Sequence, residues 1–324
     1  MTIQWFPGHM YKAGKEIKER LVDVDVVIEI LDARIPFSSQ NPLLMEFAAT
    51  KPTIKVFNKS DLANPEALKL WQMQLELQQN IKTIAITSKQ TDSVRAILDL
   101  CHKLVNNKGK HQFITAMIMG IPNVGKSTII NILANRIVAK TGNEPAVTKG
   151  QQRIKISEDI VFFDTPGMLW PKIRHENWAF RLAITGAIKE TAMSHEDIAF
   201  YLISYLKQNH PNLLKQRYQI ENLASDEYGI LEQIGAKRGC IKSRNMLDLH
   251  KVSSIVIHEY RAGKIGQLCL ELPREVEKEK QQADEQQVIA ERKKEARKKR
   301  KRKKNGSFSK PQQKHTNSNK DKNR

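Results

Sequence analysis

The strongest chemical motif in the chain is a glycine-rich segment, GIPNVGKST, at residues 120–128. Its glycines leave room for backbone N–H groups to close around phosphate oxygens, and a helix starting here favours negative charge. In this pattern Lys126 reaches the β- and γ-phosphates and Ser127 holds Mg²⁺. The segment therefore predicts a nucleoside triphosphate site, with contacts from Asn123, Val124, Gly125, Lys126, Ser127 and Thr128.

Two later segments suit the metal end of such a site. The motif DTPG (164–167) directly follows the apolar run IVFF. Here Asp164 is expected to hold Mg²⁺ through the coordination shell of the ion, and the Gly167 N–H is expected to contact the γ-phosphate. Thr148, in the polar loop NEPAVTKGQQ, is the second expected Mg²⁺ ligand and the sensor of the γ-phosphate. We therefore predict an Mg²⁺ site formed by Ser127, Thr148 and Asp164.

A third set of residues is suited to reading a guanine base. In VFNKSD (56–61), Asp61 can accept hydrogen bonds from both N1–H and the exocyclic amine of guanine, a pair that adenine lacks. Asn58 can bond the base and its loop, and the Lys59 stem can lie over the ring. The segment ITSK (86–89) resembles the Ser-Ala-Lys loop whose backbone N–H groups meet the guanine O6, and it is expected to play that part here. The predicted base contacts are Asn58, Lys59, Asp61, Thr87, Ser88 and Lys89.

The first half of the chain alternates between strand and helix patterns. Short runs rich in Ile, Val and Phe predict strands at 25–33, 52–60, 81–88, 112–120, 152–157 and 159–167. Helices are predicted at 64–79, at 91–107 and from the glycine-rich segment onward. Such alternation predicts an α/β fold with a mostly parallel sheet, helices on both faces and ligands at the carboxyl ends of the strands.

The order of the motifs is unusual. The two base loops come first, followed by the phosphate loop, the threonine loop and the Mg²⁺ loop. This order is a cyclic shift of the usual GTPase order. Because the termini of compact domains often lie close together, joining them and opening another loop can preserve the sheet. We therefore predict a circularly permuted GTPase domain at 1–174.

The second half of the chain is predicted to be helical and then highly charged. Helical spacing dominates 175–280, with Ser194 and Asp197 as a capping pair, and the charged segment that follows can extend the last helix. From residue 292 onward the chain has sixteen Lys and Arg residues against Glu295 and Asp321. Too few apolar residues are present there to bury a core, so a disordered basic tail is expected within 281–324.

Composition favours a particular cellular setting. The three cysteines are far apart in sequence and lack metal-ligand or redox spacing, which is typical of free thiols in a reducing cytosol. The N-terminus lacks the apolar run of a signal peptide, and no apolar stretch is long enough to span a membrane. We therefore expect a cytoplasmic protein with no membrane partner. A monomer is the default expectation for its oligomeric state. The basic tail suits a phosphate backbone or, alternatively, a solubilising or nuclear-import role.

Several segments together resemble the circularly permuted GTPases and, within them, the ribosome biogenesis GTPase A family. These are WFPGHM (5–10), LDARIPFSSQNP (31–42), NKSDL (58–62), GIPNVGKST (120–128), PAVTKG (145–150) and DTPGM (164–168). The resemblance covers about residues 1–280. It implies GTP hydrolysis to GDP and phosphate during late assembly of the large ribosomal subunit in the bacterial cytoplasm. Its implied partners are GTP, GDP, the large subunit, rRNA and ribosomal proteins, with the helical region binding RNA under nucleotide control.

Two further expectations concern hydrolysis. Met168 follows DTPG where many small GTPases have a glutamine, and a thioether cannot orient the attacking water. The resemblance implies that His9 takes this role beside Lys126 and Thr148, and histidine is chemically suited to it. A polar loop histidine is the alternative. Asn123 resembles the asparagine of potassium-stimulated GTPases, which implies K⁺ as a second cofactor beside Mg²⁺; an asparagine that favours the loop turn is the alternative.

Other function classes fit the sequence less well. A nucleotide kinase would leave the guanine-reading residues without a use, and a binding module with an inactive site would not need Lys126, Ser127, Thr148 and Asp164 together. A regulatory GTPase that acts on another ribonucleoprotein is the remaining alternative to ribosome assembly.

Overall fold

The computed structural model describes residues 8–105, 113–139, 152–189, 192–242 and 246–306, with the backbone alone at His9 and 299–306. The chain falls into two compact units that divide between Lys278 and Glu279. Residues on both sides of the predicted boundary at 174 belong to the first unit, and that boundary stays a prediction. Thr148 and the last part of the basic tail lie outside the described residues.

The first unit is built around a sheet whose six described strands have the order β3-β2-β1-β4-β6-β5. Neighbouring strands are parallel except for β5, which is antiparallel to β6. The strands are β1 (Val26–Asp32), β2 (Thr53–Asn58), β3 (Ile81–Ala85), β4 (Ile114–Gly120), β5 (Gln152–Lys155) and β6 (Ile160–Asp164). The order reverses between β1 and β4, and such a switch point is where open α/β sheets bind ligands.

Helices follow the predicted alternation. Those up to the glycine-rich segment are α1 (Gly8–Arg20), α2 (Pro42–Phe47), α3 (Pro65–Glu76), α4 (Thr91–Leu104) and α5 (Lys126–Leu133). The later helices are α6 (Glu176–Ile184), α7 (His195–Asn209), α8 (Pro211–Tyr218), α9 (Glu227–Arg238), α10 (Leu249–Arg261) and α11 (Pro273–Gly306). The predicted cap is confirmed, because the Ser194 side chain accepts a hydrogen bond of 3.0 Å from the Asp197 N–H.

Burial explains why these strands are central. Every residue of β1, β2 and β6 is buried, as expected for strands covered by helices on both faces. Part of the core includes residues from much later in the chain. Cys269 and Val276 pack in one cluster with Leu31, Phe57 and Trp71, so the end of the helical region contributes to the core beside β1 and β2.

Several elements differ from their predicted extents. The strand pattern at 81–88 ends at Ala85, and α1 and α2 were not predicted. Helix α11 continues to Gly306, past the predicted start of disorder at 292, because Glu, Lys, Arg and Ala are good helix formers.

All three cysteines are buried free thiols. Within the described residues, no helix has the length and apolar character needed to cross a bilayer.

Candidate nucleotide-binding site

The glycine-rich segment lies between β4, which ends at Gly120, and α5, which begins at Lys126. Gly125 has a φ of 103°, a backbone conformation that glycine adopts readily and other residues adopt at a cost. Lys126 is 7% exposed, and its Nζ donates hydrogen bonds to the carbonyls of Gly120 (3.1 Å) and Ile121 (3.0 Å). Burial lowers the pKa of Lys126 to about 8, although the Asp164 carboxylate opposes this shift. The ammonium thus sits inside the curve of the loop.

The DTPG segment approaches this loop from the end of β6. Asp164 is 1% exposed, and its Oδ1 has no hydrogen-bond partner among the described residues. Burial raises the pKa of Asp164 to about 6, although Lys126 opposes this shift. A Cβ added to Gly167 would lie 2.8 Å from Pro122 Cα and 3.2 Å from Lys126 Nζ. The absence of a side chain at Gly167 therefore permits contact between the two loops.

The predicted base-reading loop contacts the phosphate loop directly. Asn58 ends β2, and its Nδ2 donates a 2.8 Å hydrogen bond to the Val124 carbonyl. Its buried Oδ1 has no partner in the described part of the chain. Lys59 has a left-handed φ of 61°, and its Nζ donates to the Asn123 carbonyl at 3.0 Å. Two segments separated by more than sixty residues in sequence are thereby held together.

The two predicted base loops also lie side by side. The Ser60 N–H donates to the Ile86 carbonyl at 3.1 Å. Asp61 Oδ2 lies 2.7 Å from Lys89 Nζ. Burial of Asp61 is partial and raises its pKa, but hydrogen bonds from Lys89 and Thr87 outweigh this effect and keep the pKa below its ordinary value. Asp61 is therefore a carboxylate at neutral pH, the form that accepts two hydrogen bonds.

One buried group at this site was given no role in the sequence analysis. Asp32 ends β1, is 1% exposed, and its Oδ2 accepts hydrogen bonds from Arg34 Nη2 (2.7 Å) and Lys59 Nζ (2.9 Å). It thereby helps to orient Lys59. Its position could have been a signal, because an acidic residue at the end of an apolar strand pattern is expected at the ligand-binding edge of a parallel sheet.

Met168, directly after DTPG, is held away from solvent. It is 1% exposed, its N–H donates to the Gly120 carbonyl at 3.2 Å, and its carbonyl accepts from Asn41 Nδ2 at 2.8 Å. On the other side of the phosphate loop, Asn123 Nδ2 donates to the Gly186 carbonyl at 2.7 Å. The loop between β1 and α2 and the loop after α6 thus both contact the nucleotide-binding loops.

The remaining predicted site residues are only partly placed. Ser127, Thr128 and Ser88 are half-buried in the segments predicted for them. The backbone of His9 lies in α1, and its side chain lies outside the described residues, as does Thr148. The structure therefore brings together the predicted base-reading segments, the predicted phosphate loop and the Asp164 segment. The positions of the His9 side chain and Thr148 stay predictions.

Comparisons with known proteins agree with this arrangement. The sequence model of a family described as "50S ribosome-binding GTPase" matches residues 115–234. Ribosome biogenesis GTPase A of Bacillus pumilus is 42% identical over 281 residues, which cover 84% of this chain and 99% of the relative. Mitochondrial ribosome-associated GTPase 1 of Ictalurus punctatus is 33% identical over 82% of this chain and 92% of the relative.

A solved structure gives the same answer. The crystal structure of GNP-bound YlqF from T. maritima matches with a TM-score of 0.58 and 26% identity. The match covers 82% of this chain and 99% of the solved chain. The sheet is mostly parallel, the predicted base loop precedes the predicted phosphate loop, and relatives of this similarity match over almost their whole length. The chain belongs to the ribosome biogenesis GTPase A family.

Proposed function

We propose that this GTPase hydrolyses GTP to GDP and phosphate during late assembly of the large ribosomal subunit. The bound nucleotide controls the affinity of the protein for rRNA. One observation carries the nucleotide part of the proposal. The 2.8 Å hydrogen bond between Asn58 Nδ2 and the Val124 carbonyl joins the guanine-type loop to the phosphate loop. A single ligand with a guanine at one end and phosphates at the other fits that junction.

The roles of the phosphate-end residues follow from their chemistry. Lys126 places a buried positive charge where the β- and γ-phosphates lie, and the Gly167 N–H meets the γ-phosphate. Ser127, Thr148 and Asp164 would hold Mg²⁺, which would neutralise negative charge on the phosphate oxygens. The unpartnered, buried Oδ1 of Asp164 supports this assignment, because a buried carboxylate oxygen is otherwise costly.

Hydrolysis needs a positioned water that Met168 does not orient. His9 takes this role, since an imidazole can hydrogen-bond water at neutral pH. Asn123 would hold K⁺, whose charge would offset the negative charge that develops in the transition state. The guanine end is read by Asn58, Lys59, Asp61, Thr87, Ser88 and Lys89.

The partners follow from charge and family. The helical region from residue 175 and the basic tail bind rRNA, with ribosomal proteins as neighbours, through contacts that release counterions from the phosphate backbone. The protein acts as a monomer in the bacterial cytoplasm. Action on another ribonucleoprotein is the alternative, supported only by the charge of the tail.

The test is GTP turnover with and without large ribosomal subunits, measured in K⁺ and in Na⁺. We expect the subunits to stimulate turnover and K⁺ to support it better than Na⁺. Small ribosomal subunits serve as the control for non-specific stimulation by RNA. Turnover that large subunits leave unchanged would contradict the ribosomal role, and equal rates in the two salts would contradict the Asn123 assignment. Full stimulated turnover by His9→Ala would remove His9 from the mechanism.

A further inference from the structure

The chain returns from the helical region to the base-reading loop through residues 261–271, here called the return segment. Gln267 Nε2 donates to the Asp61 carbonyl at 3.1 Å, and the Leu268 N–H donates to the Leu62 carbonyl at 3.0 Å. Two consecutive carbonyls of the base loop, including that of the residue predicted to read guanine, are thus held by residues about two hundred positions later.

A second set of contacts reaches Lys59 through the Asp32 network. The Leu270 N–H donates to the Arg34 carbonyl at 2.8 Å, and Arg34 Nη1 donates to the Arg261 carbonyl at 3.3 Å. Arg34 in turn holds Asp32, whose carboxylate orients Lys59. The return segment therefore supports both charged residues of the base-reading motif, one directly and one through two buried side chains.

Close packing accompanies these hydrogen bonds. Gly263 has a φ of 71°, and a Cβ added there would lie 2.6 Å from Leu62 Cδ2. The neighbouring Leu268 is 1% exposed. At the N-terminal end of the return segment, Arg261 Nε donates to the Ile184 carbonyl at 2.7 Å and so contacts the end of α6. The segment is fixed on both sides and leaves the base loop little room to shift.

We propose that the return segment positions Asp61, so that Gln267 and Gly263 help to set base discrimination and the rate of guanine nucleotide release. They act through Asp61 and are positioning residues. The inference rests on the proposed function for the identity of the nucleotide. The return segment also connects the helical region to the predicted base-reading loop. This link is additional to the chain connection that follows the DTPG segment. A movement of α10 thereby changes the geometry at Asp61.

The test compares Gln267→Ala and Gly263→Ala with wild-type protein and with Gln208→Ala, a control at an exposed glutamine of α7. Release of GDP and of inosine diphosphate is followed by fluorescence with labelled nucleotides. Inosine diphosphate lacks the exocyclic amine, so its comparison with GDP reports specifically on Asp61. We expect Gln267→Ala to release GDP about fivefold faster, the factor that one ordinary hydrogen bond contributes. Gly263→Ala should also release GDP faster, because the added Cβ would displace the Leu62 side chain. The preference for GDP over inosine diphosphate should fall by a similar factor.

A purely structural role would not change the ratio between the two nucleotides. Wild-type release rates and an unchanged ratio in both folded variants would overturn the inference while leaving GTP binding intact. If Gly263→Ala does not fold, the exposed Gln267→Ala decides the question alone. A wild-type protein that binds neither GDP nor GTP would instead contradict the proposed function, so the two failures are distinguishable.

Discussion

Replacement of Asp32 by asparagine gives the sharpest test of how the site is held together. Arg34 is 2% exposed, and Asp32 accepts hydrogen bonds from its Nε at 2.8 Å and its Nη2 at 2.7 Å. Burial alone raises the pKa of Asp32, but the charges of Arg34 and Lys59 outweigh it and hold that pKa well below its ordinary range. The carboxylate is thus the main counter-charge of a buried guanidinium.

The expected cost follows from this burial. Removing one partner of a buried ion pair leaves an uncompensated charge and costs about 3–5 kcal/mol of unfolding free energy. The Lys59 side chain is 24% exposed, so its pairing with Asp32 adds at most about 1 kcal/mol. Because the folded pKa of Asp32 is depressed, the stabilisation is present above its unfolded pKa and is lost as pH falls through the folded pKa. The difference between wild type and Asp32→Asn should therefore be constant from neutral pH to about pH 5 and shrink below about pH 4.

The assay is urea unfolding followed by tryptophan fluorescence, combined with GDP affinity. Asp99→Asn, at an exposed position of α4, is the matched control and should change stability by less than about 0.5 kcal/mol. Asp32→Asn combined with Arg34→Met removes the buried charge and should recover part of the loss. An Asp32→Asn variant with wild-type stability and wild-type GDP affinity would refute the reasoning.

Two other perturbations test different contacts. Gly167→Ala places a Cβ 2.8 Å from Pro122 Cα, so the backbone must move. The rate of GTP hydrolysis should therefore fall by about tenfold or more, while GDP affinity changes less. Equal losses in the hydrolysis rate and in GDP affinity would contradict this. Lys55→Met leaves the buried Glu29 without its partner at 2.8 Å and should cost about 3–5 kcal/mol in urea unfolding. Glu29→Gln with Lys55→Met should recover part of that loss, and a double variant as unstable as Lys55→Met would show that charge burial is not the cause.

Local motifs made much of this site predictable. The phosphate loop and DTPG each combine a strand end with residues of defined chemistry, and the parallel sheet brings strand ends to one edge. The contact between Asn58 and Val124 follows from that geometry once the permuted order is accepted. The cap at Ser194 was likewise readable, because capping depends on neighbouring residues alone.

Long-range contacts were not predictable in the same way. Nothing local to Gln267 or Leu268 indicates that they bond the base loop, because pairing between segments two hundred residues apart depends on the whole fold. Asn41 illustrates the same limit, since its bond to the Met168 carbonyl crosses between two loops. Helix α1 was not predicted because its start lacks an acidic first turn and its apolar residues are few.

The central claim is that residues ahead of the phosphate loop in sequence read the guanine of a nucleotide bound by that loop. Asp61→Asn tests it most directly through the affinities for GDP and xanthosine diphosphate. Asparagine can donate to the 2-oxo group of xanthine but cannot accept both hydrogen bonds of guanine. We predict that GDP affinity falls by about a hundredfold or more and that xanthosine diphosphate binds better than to wild type. Unchanged affinity for GDP would contradict the account.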